Sequence, residues 1–423
     1  MCAFSTLSTR FPLAYVKSFP SRFTPQWLPR AANTCNVARY FDPRPRRARL
    51  ANMSTAAVSP AALPTPTPAP ESVAGTNPVF AQCMLRINNP TASDEFYTRL
   101  GMKLLTRFDF PSFQFSLFFY GYTSDETPDQ SLPQPERAKW LWSRPYPTVE
   151  LTWNWPADTY EKSLQLADKG EKTEEYVNGN SSPLGFGHIS LAVSDVAAAV
   201  SALKREGTAV ESEGTAGESA VAPSAVIVKD PETYHFQLAG PSGGSSASTS
   251  FSGLDPVYSS VMLRIKDPRK AIPFFERLGM RYLTRVDNES ESRTHYYLAY
   301  TTKEAPAEAE AVEEKQKWIS SLRECTLHLV HEWGSENKET ELVNGNVKPY
   351  RGFGHVGMIV DDVHKTTERM EECGYKVVRK ASPFADVGTI SFVEEPSTKY
   401  WVELITRGGK AAETPYEQPP LSS

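Results

Sequence analysis

A chain of 423 residues is longer than one ordinary hydrophobic core supports, so two or more domains are expected. Lys and Arg total 45 against 50 Asp and Glu, a formal charge of −5, which argues against nucleic acid as the main partner. No uninterrupted apolar run approaches a membrane span, and the cysteines (Cys2, Cys35, Cys83, Cys325, Cys373) show no CxxC spacing, which argues against a membrane protein, a disulfide frame or a thiolate metal site.

The first stretch of the chain is basic. From Met1 to about Leu50, nine Lys and Arg meet one acid, Asp42, the composition of an organelle presequence. Such a leader would direct the protein to a mitochondrion or plastid; a start at Met53 would leave it cytoplasmic. PAALPTPTPAPE (60–71) follows as a Pro-rich extended tether. Beyond it, MLRINNPTASDEFYTRLGMKLLTR (84–107) reads as strand, turn, amphipathic helix, Gly stop and strand. FSLFFYGY supplies a further strand. HISLAVSDVAAAVSALKREGTAV repeats the plan, with Ser-Asp at the helix start and Gly207 as the stop, and AVIVKDPETYHFQL supplies more strand.

The connector PSGGSSASTSFSG (241–253) is flexible and of low complexity. After it the chain begins again: MLRIKDPRKAIPFFERLGMRYLTR (262–285) lies over 84–107 at an offset of 178, and VNGN and GFGH recur at 343–346 and 352–355 after 177–180 and 185–188. The acidic run KEAPAEAEAVEEKQKW (303–318) reads as a solvated surface helix. The duplication divides the chain into a presequence-like and Pro-rich tail (1–77), a first domain (78–241), a Gly/Ser linker (242–256), a second domain (257–406) and a C-terminal tail (407–423). Each half divides once more. The fold expected is therefore α+β, with four βαβββ modules starting near Phe80, Gly185, Tyr258 and Gly352, whose curved mixed sheets enclose a cavity.

Metal-competent groups recur at equivalent strand positions. They are Gln82 and Glu150 in the first module, His188 and Gln237 in the second, Ser260 and His328 in the third, and His355 and Glu403 in the fourth. Alone, each is an unremarkable hydrogen-bonded or solvent-facing residue. Together Gln82, Glu150, His355 and Glu403 supply an amide oxygen, two carboxylates and an imidazole, a set suited to a divalent ion that keeps open positions.

QCMLR, VELTWNW, VNGN, RGFGH and YWVEL resemble glyoxalase I, the lactoylglutathione lyase, in its fused two-domain form, over about residues 78–406. The resemblance implies two glyoxalase-type domains in a monomer. It also implies one divalent metal ion, zinc first with nickel or cobalt as alternatives, held by Gln82, Glu150, His355 and Glu403. Glutathione is the implied cosubstrate, its carboxylates bound by Arg86, Asn154 and Arg351 with Arg379 or Lys380 nearby, and Phe110, Leu117 and Phe119 line an apolar pocket. The implied reaction moves a proton from C1 to C2 of the methylglyoxal–glutathione hemithioacetal, giving S-D-lactoylglutathione. The resemblance makes Glu403 the principal base and Glu150 the base for the other enantiomer.

Crosswise pairing of the modules, first with fourth and second with third, gathers every loss of these groups into one cavity. There Ser260, His328, His188 and Gln237 face each other, Leu184 stands for Arg351, and Glu332 stands for Asn154. One site is then intact and one degenerate, with Glu332 expected to repel a ligand carboxylate. Two other readings stay in view. Pairing of the third module with the fourth would join His328, His355 and Glu403, a non-haem Fe(II) dioxygenase set. A non-catalytic binding module is the other.

Overall fold

The structure, a computed structural model, describes residues 70–210, 225–240, 250–338 and 342–409. The basic N-terminal stretch, nearly all of the Pro-rich stretch, most of the Gly/Ser connector and the tail after 409 lie outside the described residues. Among those described, no helix is long and apolar enough to cross a membrane.

The first module runs β1 (Val79–Ile87), α1 (Pro90–Arg99), β2 (Lys103–Phe110), β3 (Phe115–Gly121), α2 (Gln134–Leu141) and β4 (Thr148–Asn154), followed by α3 (Tyr160–Ala167). The second holds β5 (Phe186–Ala192), α4 (Val196–Arg205), β6 (Val226–Lys229) and β7 (His235–Ala239). The third holds β8 (Val257–Ile265), α5 (Pro268–Arg277), β9 (Arg281–Asn288), β10 (Arg293–Ala299), α6 (Val312–Ser320) and β11 (Thr326–Glu332). The fourth holds β12 (Phe353–Val360), α7 (Val363–Glu372), β13 (Val377–Phe384), β14 (Gly388–Glu394) and β15 (Trp401–Thr406). The acidic run is helical only from Val312 onward; its first part, 303–311, is turn and coil.

Local chemistry sets the module helices. Asn89, Asp195, Asp267 and Asp362 each cap a helix, their side-chain oxygens accepting a backbone N–H two or three residues on. The chain then leaves through Gly101, Gly207, Gly279 and Gly374, all at positive φ, a conformation that glycine adopts without a Cβ penalty.

Two curled sheets result. One runs β13-β14-β15-β12-β1-β4-β3-β2 and the other β6-β7-β5-β8-β11-β10-β9. Each joins modules from both sequence halves, first with fourth and second with third. The antiparallel seam β1–β12 closes the first sheet and β5–β8 the second.

The motifs present in both halves hold these seams. Gly352 and Gly185 lie where an added Cβ would meet Val177 O at 1.9 Å and Val343 O at 2.3 Å, so each GFGH passes hard against the VNGN of the other half. Phe186 and Phe353 stack on each other, ring centroids 5.0 Å apart and planes 6° from parallel, worth about 1 kcal/mol beyond their burial. Gly354 and Gly187 make room for the side chains of Met84 and Met262. The Arg86 guanidinium donates to the carbonyls of Gly345 (3.0 Å), Gly352 (3.1 Å) and Phe353 (3.3 Å) and to Asn346 Oδ1 (2.9 Å). Arg264 does the same to Gly179, Gly185, Phe186 and Asn180. Tyr234 and Tyr400 complete the pattern, their hydroxyls donating to Arg86 O and Arg264 O. The repeated sequence is thus largely a repeated clamp.

Candidate active site

Strand alternation and register decide which side chains of the eight-stranded sheet share a face. Gln82 stands opposite Gly357, which pairs with Glu403; Met84 stands opposite His355 and beside Glu150; Phe119 pairs with Glu150. One concave face therefore carries Gln82, Glu150, His355 and Glu403, drawn from β1, β4, β12 and β15. Gly357 is what lets them meet: a Cβ there would lie 2.6 Å from Gln82 Cγ.

The four are all buried. Gln82 Nε2 donates to Glu403 Oε2 at 2.9 Å and also to Glu150 Oε2. His355 Nε2 lies 2.9 Å from Glu403 Oε2 and 3.3 Å from Glu150 Oε2. Ligand atoms of Glu150, His355 and Glu403 all fall within 4.8 Å of one another, the one such group among the described residues. Burial pushes the Glu150 carboxyl up, against the lowering effect of His355. Burial alone would lower His355, but Glu403 and Glu150 outweigh it and hold the imidazole at about 9. Despite these close approaches, His355 Nε2 makes no hydrogen bond of proper geometry. Three donor atoms aimed at one dry centre, of types that suit a divalent cation, could hold a metal ion.

At one end of this face Asn154 Nδ2 donates to Tyr176 OH at 3.3 Å, and Arg351 Nη1 donates to Glu174 Oε2 at 2.6 Å. Arg86 stands behind them, already engaged as the clamp. Glu174 and Tyr176 were not read from the sequence; their place just before VNGN, which itself meets the other half, was the available signal. Phe110, Leu117 and Phe119 lie in one apolar cluster on the same face, where Phe110 meets Phe384 of β13 at 5.1 Å. Arg379 is half-buried, bonded to Ser382 Oγ at 3.1 Å, and feels the charge of Glu403. Lys380 does not join it: alternation turns it to α7, where its ammonium pairs with Glu371 at 3.3 Å.

The model of the glyoxalase/bleomycin resistance protein/dioxygenase superfamily matches residues 79–238 and again 258–404. The chain belongs to this superfamily. A lactoylglutathione lyase of Schizosaccharomyces pombe is 28% identical over 325 residues, 76% of this chain and 94% of that protein. One from Pseudomonas aeruginosa is 38% identical over 151 residues, 35% of this chain and 81% of that protein. The crystal structure of glyoxalase I from Zea mays has the same fold, with a TM-score of 0.52 at 22% identity over 78% of this chain and 92% of that one.

The second cavity of this superfamily member sits on the seven-stranded sheet and brings Ser260, His328, His188 and Gln237 to the equivalent strands. Among the described residues no carboxylate pair comes together there. Gln237 accepts from Ser190 Oγ at 3.1 Å, and Ser190 occupies the position that Gly357 keeps open in the other sheet. His328 meets His295 at 2.9 Å between ring nitrogens and stacks on Tyr297. Burial, then His295 and His188, hold His328 well below the ordinary imidazole range. Because His328 lies in one sheet and His355 with Glu403 in the other, the two-histidine, one-carboxylate dioxygenase set does not form.

Proposed function

We propose that the protein is a lactoylglutathione lyase acting on the hemithioacetal of methylglyoxal and glutathione, with one working site on the eight-stranded sheet. The observation that carries this reading is the buried convergence of Glu150, His355 and Glu403 on a face that also bears Gln82. The names of the relatives that match along most of the chain support it.

The four residues would hold one divalent cation, zinc first and nickel or cobalt as alternatives, with Gln82 turning its amide oxygen inward. Such a cation supplies electrostatic stabilisation to the negative charge that grows on the substrate oxygens. Glu403 takes the C1 proton and returns it to C2, and Glu150, on the opposite side of the centre, does the same for the other enantiomer. Phe110, Leu117 and Phe119 keep the reacting end dry, which strengthens every charge interaction there. Arg351 and Asn154 take a glutathione carboxylate, with Arg351 exchanging Glu174 for the ligand; Arg86 adds positive charge from behind, and Arg379 does so from β13. Both halves of the site come from one chain, so the monomer is the working unit. Its compartment is the cytoplasm if translation starts at Met53, and a mitochondrion or plastid if the basic segment is a cleaved leader.

The test is Glu403→Gln. With the fold intact by circular dichroism, formation of S-D-lactoylglutathione should fall by about 10²–10⁴-fold, the usual span for a lost acid–base group. Activity within a few-fold of wild type would sink the assignment.

A further inference from the structure

The mouth of the second cavity is open and positively charged. A cavity of about 670 Å³ lies there, with Arg264, Lys266, Arg293 and Lys338 in its lining and Glu332 the one carboxylate among its described lining residues. Its volume falls within the range of sites that enclose small molecules, roughly 300–1,000 Å³. Leu184 and Leu342 contribute apolar wall.

The repulsion expected from Glu332 is offset, because Lys338 Nζ sits 2.9 Å from Glu332 Oε1. The cations have also moved relative to the first site. At the repeat offset of 178, Lys266 stands where the first half has Asn88, and Arg293 where it has Phe115. The apolar row has been lost as well: Asn288, His295 and Tyr297 take the places of Phe110, Leu117 and Phe119. The second cavity has therefore lost the fittings for chemistry and for an apolar substituent, while cations stand at new places around its mouth.

We propose that this mouth is a second, non-catalytic binding site for a small peptide bearing two carboxylates and one ammonium, the charge pattern of glutathione itself. The ligand class rests on the activity proposed above; the site does not. Lys266, Arg293 and Lys338 take the carboxylates and Glu332 takes the ammonium, so the ligand exchanges with the Lys338–Glu332 pair and with the Arg293–Glu291 pair, 3.5 Å apart. Nothing in this mouth selects for a substituent on sulfur.

The experiment titrates the full chain with S-methylglutathione, a redox-inert probe, by isothermal calorimetry. Two equivalents per chain are expected. Lys266→Glu with Arg293→Glu should weaken one of them at least tenfold, with the thermal unfolding midpoint close to wild type; Arg351→Glu should weaken the other. A single equivalent in the wild type overturns the proposal, as does a second equivalent indifferent to the double charge reversal. Displacement by inorganic phosphate at the same concentration would also overturn it, since it would mark a general anion site. Loss at Lys266 and Arg293 with no loss at Arg351 would instead leave this site standing and overturn the catalytic-site reading.

Discussion

Gly357→Ala tests the geometry of the proposed metal centre without replacing any of its proposed ligands. The added Cβ would lie 2.6 Å from Gln82 Cγ and 3.1 Å from Gln82 Cδ, closer than real side chains pack, so Gln82 must leave its position across β12. Overpacking of this kind costs about 1–3 kcal/mol. Glu150 and Glu403 each lose the amide that now donates to them, and the proposed centre loses its proposed neutral ligand. Perturbing a metal site at one remove typically weakens binding about 10–100-fold, or roughly 1.4–2.7 kcal/mol. Titration of metal-free protein with zinc or nickel, followed by activity and by thermal unfolding, should show that weakening. The companion Ser190→Gly, at the equivalent place in the other sheet, should leave metal affinity unchanged. Wild-type metal affinity in Gly357→Ala would mean that Gln82 does not belong to the centre.

Arg86→Ala and Arg264→Ala should destabilise the protein by similar amounts, about 3–4 kcal/mol each in urea unfolding, because each strips charged donors from three buried carbonyls; a neutral Arg264→Ala would refute the clamp. Arg351→Ala, whose side chain is 27% exposed and paired with Glu174, should raise KM by about 10–100-fold with little change in kcat; an unchanged KM would remove it from the substrate site. In metal-free protein the folded-state pKa of His355, about 9, lies above the ordinary 6.5. Its contribution is therefore complete below about pH 6.5 and lost as pH rises through about 9. Urea midpoints at pH 6 and pH 9.5 should differ in that direction, and a flat profile would contradict the His355–carboxylate pairing.

The convergence of Glu150, His355 and Glu403 beside Gln82 was legible because duplication supplied an internal comparison: Gln82 to Glu150 and Ser260 to His328 span the same distance along the chain. The helix start at Asp195 and the stops at Gly101 and Gly207 were legible because these residues act on their own neighbours. What the sequence hid was any role set by a partner far along the chain. Arg86 reads as an anion binder, yet its guanidinium is fixed by carbonyls some 260 residues away. Glu174 is invisible until the fold brings Arg351 to it across 177 residues. Lys380 and Arg379 are adjacent in sequence, and only the placement of β13 against α7 separates their destinations. The N-terminal part of the acidic run has helix-forming composition, but Ala-Pro at 305–306 interrupts it, since a proline ring opposes helix at the preceding residue.

The central claim is one working metal centre per chain, on the sheet built from the first and fourth modules. Metal-free protein titrated with zinc, with S-D-lactoylglutathione formation followed at each addition, tests it most directly. Activity should reach its maximum at one equivalent per chain and vanish in His355→Ala, while His328→Ala keeps that endpoint. Activity that climbs to two equivalents, or that survives His355→Ala and disappears with His328→Ala, would place the chemistry in the other sheet.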